Sequence, residues 1–429
     1  MTTAPDIRFD TPPKEGEPVA TGALGLLRMP RVVLFGEGQR HAVGQVVAGL
    51  GRAALICTDS RLAASTELSG IVSSLEDAGV TVHVFADTEA ELPVTCIIRC
   101  LAGLSGTSTD VVVGLGGGSC LDMAKMVALL LTHGGRPQDY YGEFLVPGPT
   151  LPVVAIPTTA GTGSEATPVA VLTDPDRAIK VGVSSPHLIP HTAICDPQLT
   201  HSCPAALTAA TGADALTHLV EAYTAIRRVP TARLAQERVF VGKSLLTDGI
   251  AVTGLQLVGR SLLRVHQVSG DTVARQEMMM AALAGGIALG TAGTAAAHAL
   301  QYPIGAITHT PHGVGVGSLL PYVMRYNFPT RLKEFAEVGR ALGVASEGRD
   351  ELSAARAGVE TVDALVDGLG LPRTLADLGL PSDRIDTVAE LALGAQRLVE
   401  NNPRPLDVAA MLAITRAAYE GDRSFPSAG

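Results

Sequence analysis

The run 278–326 limits this fold most, because Arg325, almost at its end, is the one charged side chain in it. A stretch that long without charge has to be buried. It is rich in Ala, Gly and Thr, holds His298, and is followed closely by Pro303 and Pro311, so a core helix leading into a loop is expected rather than a membrane span. Within it, residues 295–313 contain three of the eleven histidines: His298, His309 and His312. Imidazoles in uncharged surroundings admit two readings. They are core groups bonded to backbone carbonyls, or neutral ligands of a metal ion completed by a carboxylate from elsewhere.

Composition narrows what surrounds that run. The chain has 429 residues, enough for two or three domains, and 46% hydrophobic against 17% charged residues suits a large core. Trp is absent and aromatics make up 3%, so the core is aliphatic and offers no stacking platform for single-stranded nucleic acid. A net charge of −10 with no Lys/Arg run argues against nucleic acid as a partner. The six cysteines show no C-x-x-C pair or framework spacing, and the polar, Pro-rich start has no apolar h-region. A reduced, cytoplasmic protein with no membrane partner is expected.

Along the chain, residues 1–30 read as an extension. Apolar β-rich runs at 31–35, 53–58, 81–85, 110–114 and 152–157 alternate with helical patterns at 67–78, 93–104 and 121–133. That alternation predicts a parallel, Rossmann-like α/β dinucleotide-binding domain over residues 31–195. After Asp196-Pro197 the texture becomes long Ala/Leu-rich helical segments, among them 204–226, 232–252, 254–268 and 272–299. They predict an all-helical domain over 196–429.

Two loops carry nucleotide chemistry. Val113 runs into Gly114-Leu115-Gly116-Gly117-Gly118-Ser119 and then a helix, an arrangement that presents backbone N–H groups and a helix N-terminus to phosphate. Ser119 stands where the dinucleotide fingerprint has its last glycine, and a plain glycine turn would look similar. The second loop, Pro157-Thr158-Thr159-Ala160-Gly161-Thr162-Gly163-Ser164-Glu165, also follows a strand and is almost wholly glycine or hydroxyl-bearing. Asp59 ends an early strand, where a carboxylate binds ribose hydroxyls and repels a 2′-phosphate, favouring NAD over NADP. The same residue suits the N-cap of a helix beginning at Ser60.

Asp214 and His218 are four apart in a helical pattern and share a face. An Asp–His hydrogen bond would account for that pair alone. With His298 and His312 the set becomes one carboxylate and three imidazoles, which suits Fe²⁺ or Zn²⁺ better than Mg²⁺ or Ca²⁺. The remaining histidines lack such company.

Taken together, these residues resemble the iron-containing (group III) alcohol dehydrogenase family, over roughly residues 30 to 420. The motifs are Phe35-Gly36-Glu37-Gly38, Gly116 to Ser119 with Asp122 and Lys125, the 157–165 loop, Asp196-Pro197, the 212–223 helix, His298, Thr310-Pro311-His312-Gly313 and Asn402-Pro403-Arg404. The resemblance implies an active site in the cleft between the two domains, with Asp214, His218, His298 and His312 as metal ligands. It also implies that Asp59, Gly117, Gly118, Ser119, Asp122, Thr158, Thr159, Thr162, Lys180 and Leu199 bind the cofactor. Many members carry a second histidine four residues after the third ligand; here that position is Tyr302, so His309, Tyr302 or water is expected to relay the proton.

The implied activity is NAD(H)-linked hydride transfer between a small primary alcohol and its aldehyde, with the metal as Lewis acid, in a homo-oligomer. The alternatives are a hydroxyacid–oxoacid transhydrogenase with tightly held NAD, suggested by Tyr302-Pro303, and a catalytically silent nucleotide-binding protein. A carbon–oxygen lyase of the dehydroquinate synthase type shares the architecture but finds no support in the Asp/His pattern.

Overall fold

The computed structural model describes residues 25–104, 106–177, 180–345 and 347–425. The extension read over 1–30 therefore lies outside the described residues up to position 24. Among the described residues nine strands fill the first half: β1 (Val32–Phe35), β2 (Ala53–Cys57), β3 (Thr81–Phe85), β4 (Val111–Gly116), β5 (Gly142–Glu143), β6 (Val153–Pro157), β7 (Val169–Leu172), β8 (Val181–Ser184) and β9 (Thr192–Cys195). Six of them form one sheet in the order β1-β9-β6-β4-β2-β3, with every pairing parallel. Strands covered on both faces read as continuous apolar runs, and β4 and β6 are buried at every position. β5, β8 and β7 make a small second sheet that the sequence did not announce.

The strand order reverses direction between β2 and β4, so the loops leaving their C-terminal ends part there and open a crevice. Asp59 follows β2, and Gly117-Gly118-Ser119 follow β4. The parallel sheet ends at Cys195, and the next long helix begins at Ala205.

The helical half is built around the Ala205–Thr224 helix, which is buried on nearly every face. Two expectations about its neighbours need correction. The segments read as 232–252 and 254–268 are a short turn of helix, Leu234–Glu237, and one long helix, Leu245–Gln267. The long helix starts where Ser244 and Thr247 cap each other, and it passes straight through Gly254. A Cβ on Gly254 would lie 2.4 Å from Leu219 Cδ2, so that glycine serves close helix packing rather than a stop.

The segment read as 272–299 is two helices, Thr272–Ala292 and Ala296–Thr308, bent by 103° at the break. Gly293 turns the chain at φ 84°, and Asn401 Nδ2 donates to the carbonyls of Ala292 and Thr294. Among the described residues no single helix is long and apolar enough to cross a membrane; these two meet that test only as a bent pair.

The halves lock where Gly163, in the second nucleotide loop, meets Gly286 on the Thr272–Ala292 helix. A Cβ on Gly286 would lie 2.3 Å from Gly163 O. Gly286→Ala is therefore expected to destabilise the protein by roughly 1–3 kcal/mol through overpacking, read by chemical denaturation. An unchanged midpoint would show that the contact does not constrain the packing of the two halves.

Candidate metal and nucleotide site

Asp214, His218 and Glu221 stand at i, i+4 and i+7 on the central helix, and all three are buried. The bend at residues 293–295 brings His298 over them, and His312 opens the His312–Asn327 helix behind Pro311. His312 can come this close because Gly313 has no side chain: a Cβ there would lie 2.1 Å from Ala210 O on the central helix.

All three imidazoles turn Nε2 toward one atom. Asp214 Oδ1 is 3.4 Å from His218, 3.9 Å from His298 and 3.7 Å from His312. The rings of His218 and His298 stack at 4.9 Å. Asp214, His218 and His298 each place a donor atom within 4.8 Å of the other two. His312, whose side chain is 25% exposed, borders the cavity side. Burial pulls the His218 imidazole below its ordinary pKa and the His312 imidazole well below, which keeps their lone pairs available at neutral pH.

Asp214 Oδ1 and His298 Nε2 are buried with no hydrogen-bond partner among the described residues. Orphaned acceptors converging in this way fit a divalent transition metal, and the donor set of one carboxylate and three neutral imidazoles suits it chemically.

Sequence reasoning missed Glu221. Its Oε2 lies 2.6 Å from His298 Nδ1 and accepts from Ala295 N at 2.8 Å, while Oε1 accepts from Ala297 N at 2.7 Å. One carboxylate thus caps the Ala296–Thr308 helix, which has no N-cap side chain of its own, and fixes the orientation of His298. The available signal was position: Glu221 lies three residues after His218 on a helix with almost no exposed face.

The residues expected to bind the nucleotide divide by place. Asp59, Gly117, Gly118 and Ser119 line a groove of about 910 Å³ at the β2–β4 crevice. Gly118, Ser119, Asp122, Thr162 and Lys180 line a second cavity of about 200 Å³, which also holds all four candidate ligands and Tyr302. Gly118 and Ser119 belong to both, so groove and cavity meet at the N-terminus of the Gly118–His133 helix. A Cβ on Gly118 would sit 2.8 Å from Thr162 Cγ2, so the glycine lets the two loops touch.

The structure shows Asp59 as the N-cap: Oδ1 accepts from Leu62 N at 3.0 Å, while Oδ2 lies 3.9 Å from Arg61 and accepts from Cys120 Sγ at 3.9 Å. Asp122 is otherwise engaged, accepting from Ser164 Oγ at 2.5 Å and Val171 N at 3.0 Å, with the buried Lys125 beside it. It ties the glycine-loop helix to the second loop and to β7. Lys180 pairs with Glu91, and burial pulls its pKa down to about 8.

Thr158 donates its backbone N–H to Gly116 O, and Thr159 stands beside Gly117; neither lines the two cavities, and Leu199 packs in the core with Leu62 and Ile194. Tyr302 is buried in the cavity wall, and burial raises its phenol above the ordinary 10. His309 is exposed at the C-cap of its helix, in the left-handed conformation at φ 55°, and is not among the residues lining the cavity.

A switch-point nucleotide crevice running into a cavity that gathers one carboxylate and three imidazoles defines a class of dinucleotide-linked enzymes centred on a metal. The relatives are of that class. Residues 30–197 match the model of the iron-containing alcohol dehydrogenases, and residues 208–419 match the C-terminal model of the Fe-containing alcohol dehydrogenase family. The chain is 37% identical to long-chain-alcohol dehydrogenase 1 of Geobacillus thermodenitrificans, over 86% of this chain and 89% of that one. The structure of a 1,3-propanediol oxidoreductase superposes with a TM-score of 0.86 at 32% identity, covering 92% of this chain and all of that one. Sulfoacetaldehyde reductase from Bifidobacterium kashiwanohense, in complex with NAD⁺, gives 0.78 at 27% identity, covering 93% and 100%. The chain belongs to the iron-containing alcohol dehydrogenase family, oxidoreductases acting on CH–OH groups.

Proposed function

We propose that this chain interconverts small primary alcohols and aldehydes with NAD(H), using Asp214, His218, His298 and His312 to hold a divalent metal, Fe²⁺ first and Zn²⁺ second. One observation carries the reading: the nucleotide groove and the imidazole cavity are continuous at Gly118-Ser119. When bound, the metal supplies Lewis-acid polarisation of the substrate oxygen. The protein's own contribution is placement. The glycine-loop helix presents its N-terminus to the diphosphate, and the Gly118–Thr162 contact sets how deep the nicotinamide reaches. Tyr302, its pKa raised by burial, stays protonated at neutral pH and acts as a hydrogen-bond donor in the wall rather than as a base. With His309 outside the cavity lining, the proton passes to solvent.

A cytoplasmic location and homo-oligomeric assembly belong to the same reading; the location draws support from six buried, unbridged cysteines. The test is metal analysis of protein purified without chelator, followed by aldehyde reduction with NADH and NADPH. Chelation is expected to abolish turnover and Fe²⁺ to restore it. NADH is expected to be preferred at least roughly tenfold in kcat/KM, because a 2′-phosphate beside Asp59 meets like charge. Full activity in metal-free protein would sink the metal assignment, and preference for NADPH would sink the role of Asp59.

A further inference from the structure

The cavity that holds the four candidate ligands also holds one cation that neither the metal nor the nucleotide explains. Arg397, on the short Gln396–Asn401 helix, lines its wall with Tyr302 and Phe240. Its guanidinium carbon lies 4.2 Å from the centre of the Phe240 ring, within cation–π range, and the Tyr302 hydroxyl takes one of its five N–H donors. The side chain is half-buried. Among the described residues no carboxylate lies within ion-pair distance of it. Glu400, one helical turn away, is taken by Arg238 at 2.9 Å and by Gln396 at 2.8 Å. The other acids and the other base facing the cavity are also accounted for: Glu91 pairs with Lys180, Asp122 holds Ser164 and Val171, and Asp214 faces the imidazoles.

The Tyr302 hydroxyl beside the guanidinium is neutral, so a half-buried arginine is left with no anionic partner and calls for one. The cofactor's phosphates belong to the groove over Gly117, Gly118 and Ser119, whose lining does not include Arg397, and nicotinamide brings no negative charge. The wall of the same cavity also carries Val169, Val171 and Leu289, which suit a short carbon chain.

We propose that Arg397 is a substrate subsite, and that the substrate is a short aldehyde or alcohol bearing an anionic group, carboxylate or sulfonate, at the end away from the reacting carbon. Arg397 grips that group in the planar, two-pronged manner of guanidinium on an oxyanion, while the carbonyl end lies at the imidazoles. The proposal rests on the dehydrogenase reading above.

The experiment compares matched aldehydes on metal-loaded enzyme with NADH: 4-oxobutanoate against butanal, and sulfoacetaldehyde against propanal. Wild type is expected to favour the anionic member in kcat/KM. Arg397→Ala is expected to raise KM for the anionic aldehydes about 10–100-fold, with kcat changed far less and the neutral aldehydes within about threefold. Arg397→Lys is expected to recover part of the loss. Calorimetric titration of 4-hydroxybutanoate into the NAD-loaded protein, wild type against Arg397→Ala, tests the subsite without turnover. Equal handling of charged and neutral aldehydes by wild type, or an equal loss on both in Arg397→Ala, overturns the proposal and leaves the dehydrogenase reading standing. Absence of any aldehyde turnover overturns that reading instead, and the titration then judges Arg397 alone.

Discussion

Asp214→Asn is expected to leave the fold intact, reduce bound metal to background and lower kcat/KM for aldehyde reduction by roughly 10³-fold or more. Asp214 Oδ1 is the one anionic atom that all three imidazoles face, at 3.4, 3.9 and 3.7 Å. Asparagine keeps the shape and removes the charge. Losing Lewis-acid stabilisation worth several kcal/mol corresponds to that rate, at one decade per ~1.4 kcal/mol. The variant separates a metal site from a structural network through the sign of its effect on stability. In the metal-free protein Asp214 carries a buried oxygen without a hydrogen-bond partner, and burial keeps the neighbouring His218 and His312 neutral. Removing an uncompensated buried charge relieves the fold, so metal-free Asp214→Asn should melt no lower than metal-free wild type. Adding Fe²⁺ or Zn²⁺ should raise the melting temperature of wild type by mass action and leave the variant unmoved. Melting scans with and without metal, alongside metal analysis by mass spectrometry, read both effects. A variant that retains its metal, or that melts well below wild type without it, would show that Asp214 serves the fold rather than an ion.

The first half was readable in good part because its central strands, β2, β4 and β6, are covered on both faces. Sequences such as AALIC in β2 and VVAIP in β6 are apolar throughout, and the glycines after β4 mark where the chain leaves the sheet. β7, β8 and β9 were not read, although β1 is as short; what makes them strands is the neighbour each pairs with. The bend at 293–295 was hidden for a related reason. Gly293 alone inside an Ala-rich helix is weak evidence, and the groups that stabilise the break, Asn401 and Glu221, lie far off in the chain.

At the site, the Asp214–His218 pair was visible through helical spacing, and His298 and His312 through their uncharged surroundings and the family motifs. Residue type made His309 a candidate, but only its backbone conformation, left-handed at a helix end, shows that it turns outward. Arg397 drew no notice because an arginine in a polar stretch reads as solvated; the Phe240 ring that holds it against the cavity lies more than a hundred residues earlier.

Glu221→Gln is expected to weaken metal affinity about 10–100-fold, the usual consequence of losing the group that orients a ligating imidazole. The argument is one of donors and acceptors. Glu221 meets three groups with two oxygens: the N–H groups of Ala295 and Ala297 and Nδ1 of His298. An ionised carboxylate only accepts, so His298 must carry its proton on Nδ1 and leave the Nε2 lone pair toward Asp214, 3.9 Å away. Glutamine has one accepting oxygen and one donating NH₂. If the oxygen takes the Oε1 place it keeps Ala297 N–H, and the NH₂ faces both Ala295 N–H and Nδ1; the ring then takes the other tautomer and points Nε2–H at the place where a metal would bind. If the oxygen takes the Oε2 place it keeps Ala295 N–H and Nδ1–H, and the NH₂ abuts Ala297 N–H. Either way one N–H at the start of the Ala296–Thr308 helix loses its acceptor, at about 1–2 kcal/mol. The two outcomes are distinguishable: the first lowers the denaturation midpoint and weakens metal competition against a chelating dye, and the second lowers the midpoint alone. Aldehyde reduction should recover toward the wild-type rate when metal is supplied in excess, which Asp214→Asn cannot match, because the four donors themselves are untouched. A variant that binds metal within about twofold of wild type and melts with it would mean that the Glu221–His298 contact is a bystander to the site.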